Sequence, residues 1–406
     1  MSAVASPGLP GWRCCPTVVR VDVDFDTRAE KLLCGPRGRA LCAAGAGLDA
    51  HRLLSALSRP VSGAVLASIE KANADLPNWP PPGWAELKRQ DPARPPEVDE
   101  IIAHHVADVD LGALAVLDDI GLLLPVLAEA VNDWAFCDDA VEAAVVLEEG
   151  TKALAPVAAA LARAPGAAWW WSPAPLGAQR WVAWGDNDPG PPQLTGVIDA
   201  LGDWSAKEAA SEDRAAGMVP FPPGPHDPRY SGIWWTPPRA IGLVGTTRSL
   251  PGLPAVQLAI CEDFPGNGPV EVWGCAVDPS ARIYEVDGPA AWCGLVEAYP
   301  REVTLSRRHD WWRWTGWEGR WLIPDWVEVA ARYDGVHLSV AGHLEASYRA
   351  LPVDGRACTC IAGWDPDETI WLTDVFTGAA LASYWEDGIG TNLVSRRPRP
   401  WMNERS

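Results

Sequence analysis

From Pro96 to Ala164 the apolar residues recur three and four positions apart, the spacing of one face of an α-helix. Val98, Ile101, Ile102, Val106 and Val109 open the pattern, and Leu111, Leu114, Leu117, Ile120, Leu123, Leu124 and Leu127 continue it. A third helix is expected from Asp138, with Val141, Val145, Val146 and Leu147. A fourth spans Thr151–Arg163, with Thr151 as N-cap and Pro165–Gly166 as the stop. Helices joined by such short loops predict a bundle or a helical layer.

The pattern differs on either side. Residues 17–26 (TVVRVDVDFD) alternate and predict a strand, with Asp22, Asp24 and Asp26 on its solvated face. Ala64–Leu76 has helical spacing, and the proline-rich stretch 78–96 reads as a loop. Beyond residue 165, Leu201–Ala216 reads as one more helix and residues 218–229 as a proline-rich connector. Short apolar runs then predict strands: IGLVGTTR, AVQLAICED, VEVWGCAV, ARIYEV, GVHLSVAG and TIWLTDV. Ala290–Tyr299 and Asp325–Tyr333 interrupt them as helices, with Asp325 as an N-cap. The expected class is α+β: a mostly helical N-terminal region followed by a tryptophan-rich domain with a mixed or antiparallel sheet. The divisions are 1–95 (an α/β segment), 96–165 (a helical bundle or layer), 166–229 (a Trp/Pro-rich connector with one helix) and 230–406 (the Trp-rich α+β domain).

Composition narrows the function classes. Of the 24 tryptophans, only Trp12, Trp79, Trp84 and Trp134 precede residue 169. The formal net charge is −20, and both halves of the chain carry an acid excess. Such a field repels nucleic acid and anionic membrane surfaces. No run of 18 apolar residues predicts a membrane span. The ten cysteines include no C-x-x-C pair and read as reduced thiols of a cytoplasmic protein. The Walker A, Rossmann glycine and G-x-S-x-G patterns are all missing.

Several constellations carry candidate chemistry. His104, His105, Asp108 and Asp110 bring metal-ligand types together, although a polar helix face is the plainer reading and no metal is assigned. In Arg229–Leu250, the indoles of Trp234 and Trp235 suit stacking on a planar ring, and Thr246, Thr247 and Arg248 at a strand end suit an amide or phosphate. Glu262 and Asp263, after an apolar run, and Glu285, on a strand, are candidate catalytic carboxylates. The segment Arg307–Trp317 packs indoles beside His309, Trp311 and Arg313, either as a stacking platform or as an interleaved cation–π core or lid loop. His337 reads as a core or partly buried histidine, and Trp364 with Asp365 and Asp367 as an acidic turn.

Phrases such as AAWWWSPAP, SGIWWTPP, TLSRRHDWWRWTG and PDWVEVAARYDGVHLSVAGHL resemble those of a family of tryptophan-rich actinobacterial proteins, a resemblance that brings no activity with it. A second, fainter likeness is to ADP-ribosyltransferase-like domains. It implies NAD as cofactor, framed by Arg229 or Tyr230, Thr246–Thr247, and Glu262 or Glu285. The sequence departs from that pattern in the short gap between Arg229 and Thr246 and in the adjacent, non-alternating threonines. The expected function is therefore recognition of a nucleotide-like or aromatic small molecule by the C-terminal domain, with ADP-ribosyl transfer as one form of chemistry. The alternative is a non-catalytic module whose acidic helical region docks a basic protein partner.

Overall fold

A computed structural model describes residues 24–48, 98–131, 151–185, 190–193, 195–217, 232–262, 268–315, 317, 319–385 and 400–402. Helices dominate the N-terminal part and strands the C-terminal part, an α+β arrangement. The N-terminal helices are α1 (Phe25–Cys34), α2 (Pro36–Gly45), α3 (Val98–Val106), α4 (Leu111–Ala115), α5 (Ile120–Val131) and α6 (Thr151–Arg163). Their periodic leucines, valines and alanines interlock in one core, with Leu41, Leu114, Leu127 and Leu161 fully buried. Trp401 returns to this core from the far end of the chain and donates its indole N–H to Gly45 O at 2.9 Å.

Two expectations at the N-terminal end change. Asp24 lies on no strand: it caps α1, its carboxylate accepting the N–H groups of Asp26 and Thr27, and Asp26 sits in the first turn. An acidic residue there answers the unpaired amides and the positive end of the helix dipole. The helix expected from Asp138, the one at Ala64–Leu76 and the strand residues before Asp24 lie outside the described residues.

The C-terminal part is built on a seven-stranded sheet in the order β11-β3-β1-β2-β10-β7-β4. Its strands are β1 (Gln179–Trp184), β2 (Val244–Arg248), β3 (Val270–Val277), β4 (Ile283–Val286), β7 (Gly335–Leu338), β10 (Thr369–Trp371) and β11 (Phe376–Trp385). All the neighbouring pairs are antiparallel except β4 with β7. Strand β1 comes from the stretch read as a connector, so residues on both sides of the expected division at 229/230 feed one sheet. A four-stranded sheet, β5 (Pro300–Glu302), β6 (Arg320–Pro324), β9 (Ala357–Thr359) and β8 (Leu351–Asp354), accompanies it. The helices of this part are α7 (Val197–Gly217), α8 (Pro289–Ala298), α9 (Thr304–Thr315), α10 (Trp326–Ala330) and α11 (Val340–Ala346).

Other elements differ from their sequence pattern. The run AVQLAICED forms no strand; it makes a 3-10 turn, Val256–Leu258, and a buried coil. Ala255, Val256 and Ile260 are all fully buried, so there is no wet face to set a period of two. The segment around Arg307, expected as a stacking platform or as an interleaved cation–π core or lid loop, is helix α9, with Ser306, Arg307, Asp310 and Trp311 on its buried side and the Arg307 guanidinium 6.0 Å from the Trp311 ring centroid. Charged residues occupying the core side hid the amphipathic pattern.

One face of the large sheet carries Val182, Val272, Ile370, Val336, Leu338 and Val286, all buried against the two main cores. The other face carries polar side chains in line. Glu285 pairs in register with His337, His337 with Thr369, and Thr369 with Thr246. His337, Thr369 and Thr246 are fully buried. That row positions the candidate site.

Candidate functional site

His337 is the centre of the row. Its imidazole is inaccessible to solvent, and each ring nitrogen faces a carboxylate. Nδ1 lies 2.5 Å from Glu285 Oε2, and Nε2 lies 3.3 Å from Asp367 Oδ1. Burial pulls the imidazole toward neutrality, but the hydrogen bonds and charges of Asp367 and Glu285 outweigh it and raise the pKa above the ordinary histidine value. The two carboxylates thus favour the protonated form of His337, which can donate from both nitrogens.

Asp367 is held from two further directions. It accepts the Arg248 main-chain N–H at 2.9 Å and the Arg248 Nε–H at 2.5 Å. Arg248 spends its remaining donors on Ser172 Oγ and on the carbonyls of Ser172 and Pro173. The same short segment reaches Glu285, whose Oε1 accepts the Ala174 N–H at 2.9 Å. Two carboxylates thus face an imidazole and a guanidinium. Only Glu285, 32% exposed, opens toward solvent. Asp367 has φ of 65°, in the left-handed region that a non-glycine residue seldom occupies. Residues held there cost about 1–3 kcal/mol and cluster at functional sites.

Thr246 belongs to the same row. Its hydroxyl donates to Gln179 Oε1 and accepts the Trp371 indole N–H. Thr247, one residue on, points through the opposite face and accepts the Gln257 N–H. There a second polar group gathers. Asp365 accepts the Glu262 N–H and the Gln257 side-chain amide. Glu262 Oε1 lies 3.4 Å from Nε2 of fully buried His343, whose Nδ1 is 3.1 Å from Ser347 Oγ. Burial, reinforced by the Arg37 charge, drives the His343 pKa down to about 3, so this histidine is neutral. Glu368 forms a bidentate ion pair with Arg239. The loop 361–368 therefore supplies three buried acids, each with a different partner, to the two faces of one sheet.

The remaining candidates scatter. Trp234 is buried, stacks on Tyr348 with ring centroids 5.6 Å apart, and its carbonyl accepts the Trp311 indole N–H. Trp311 is fully buried and meets Trp321 edge-on. Trp235 is 43% exposed, and its ring lies against Gly363. His309 and Arg313 lie on α9 with side chains outside the described residues, as do Arg229 and Asp263 altogether. Of the candidates, the structure brings together Thr246, Arg248 and Glu285; Thr247 and Glu262 belong to the other polar group. Among the described residues no set of His, Cys, Asp and Glu has metal-binding geometry, and Asp110 caps α4.

The residues that complete the site, His337, Asp367, Ser172 and Gln179, lie outside the candidate set: the sequence reads His337 as a core histidine and Asp367 as part of an acidic turn. Asp365, Asp367 and Glu368 do leave one trace in the sequence: a dense acidic run set between Ile361 and Leu372, a stretch that is buried throughout. Acids so placed need partners inside the protein. No helix among the described residues is long and apolar enough to cross a membrane. The chain matches no protein-family model, no curated protein and no solved structure.

Proposed function

We propose that this chain is an enzyme whose proton-transferring group is Glu285, acting on a neutral or cationic small molecule. One observation carries the reading: a fully buried imidazole joins a buried Asp367, held in left-handed backbone, to a carboxylate that reaches the surface. Glu285 is the catalytic residue, while His337, Asp367 and Arg248 position it. The acid excess of the chain favours substrates without negative charge. ADP-ribosyl transfer, with Glu285 holding a ribose hydroxyl of NAD and favouring an oxocarbenium-like state, is a second form of chemistry open to this carboxylate, but the pyrophosphate of NAD runs against the acid excess. The alternative, an acidic module docking a basic protein, rests on charge alone.

The test is a turnover screen over NAD and neutral and cationic esters, amides and glycosides, run on the wild type and on Glu285→Gln. The reading expects a turnover that falls by about 100-fold or more in the variant while its circular dichroism shows the fold retained. Turnover indifferent to Glu285, or none across the whole panel, counts against it.

A further inference from the structure

At the opposite end of β2 from Arg248, by Val244 and Gly245, a recess of about 410 Å³ opens among the central strands of the sheet and their adjoining loops. Its size is that of a ligand pocket. The walls are flat and apolar: the Trp181 ring, Pro191 and Pro238, with Leu243 and Ile370. Arg239 is the single charged residue among those lining it. We infer that this recess binds a neutral aromatic amide, its ring between Trp181 and the prolines and its carbonyl oxygen on Arg239.

The chemistry of Arg239 selects that class. A guanidinium offers five N–H donors. Glu368 takes one from each terminal nitrogen, at 2.9 and 3.0 Å, and the Gly363 carbonyl takes another at 3.2 Å. The remaining donors belong to a side chain that is 38% exposed, while Glu368 behind it is 1% exposed. Glu368 thus cancels the charge of Arg239 without using up its donors. An anion entering the recess meets no net positive charge to offset its lost hydration, whereas a carbonyl still finds a hydrogen bond. Aromatic rings stack well on an indole face. The site is distinct from Glu285: Val244 and Arg248 are four residues apart along an extended strand, about 13 Å.

Benzamide and benzoate are the probes, titrated into the full-length protein by calorimetry and by saturation-transfer NMR. The inference expects saturable binding of benzamide, weaker binding of benzoate, and loss of benzamide binding in Ala240→Trp, which fills the recess from a partly exposed loop position. In Glu368→Gln the uncovered charge of Arg239 reverses the preference toward benzoate. Absence of benzamide binding to the wild type, tighter binding of benzoate than of benzamide, or binding unaffected by Ala240→Trp would overturn it. The wild-type comparison stands even where a variant fails to fold.

Discussion

Acid should weaken this fold through one residue, His343. Its imidazole is fully buried on α11, beside Glu262 and Ser347, and burial with the Arg37 charge lowers its pKa to about 3 from an ordinary 6.5. A histidine depressed in the folded state stays neutral there while the unfolded chain takes up a proton. Its contribution is complete above pH 6.5 and drains away as pH falls toward 3. Each unit of pH in that window is worth about 1.4 kcal/mol, so near pH 5 the loss is about 2 kcal/mol and by pH 3 about 5 kcal/mol. His337 has the opposite sign: its raised pKa adds stability that is complete below pH 6.5 and disappears as pH rises above it. The two windows do not overlap. Urea denaturation of the wild type and of His343→Gln, each near pH 7 and near pH 5, isolates the effect. The wild type should lose about 2 kcal/mol more than the variant over that interval. An equal loss in both proteins would refute the assignment of His343 as a neutral, desolvated imidazole.

Two substitutions probe other buried charges. Arg307 on α9 forms a 2.5 Å ion pair with Glu208 on α7, both buried. Removing one partner strands the other, so Arg307→Ala should cost about 3–5 kcal/mol, read as a lower denaturation midpoint. A Cβ at Gly245 would fall on the Glu368 carboxylate, leaving no room beside the Arg239 pair. Gly245→Ala should cost about 1–3 kcal/mol by overpacking, and a melting temperature equal to the wild type's would show that Glu368 is not seated against β2.

The helical half was legible because its core is a continuous apolar stripe. Thr151–Arg163 and Val98–Val106 form where their spacing placed them. Strands with an alternating face, such as Val270–Val277 and Ile283–Val286, were legible for the same reason. What failed were segments whose inner face is polar or whose outer face is missing. Helix α9 turns Arg307 and Asp310 inward, and Ala255–Ile260 is buried except for the half-buried Gln257. Strand β1 was concealed by tryptophans that read as composition rather than pattern. The site shows the same division. Glu285 and His337 were each visible as ionisable residues on strands, but they stand 52 residues apart and meet only through a parallel β4–β7 register. Asp367, another 30 residues on, looks like a turn former because its left-handed backbone is that of a turn; its buried partners come from long-range pairing that local spacing does not encode.

The most direct test of the Glu285 centre is the protonation of His337, read from its ring nitrogens by long-range proton–nitrogen NMR near pH 7. An imidazolium with both nitrogens protonated, which Asp367→Asn converts to a neutral ring, is the expected result. A neutral imidazole in the wild type would contradict it, because His337 would then carry no charge between the two carboxylates.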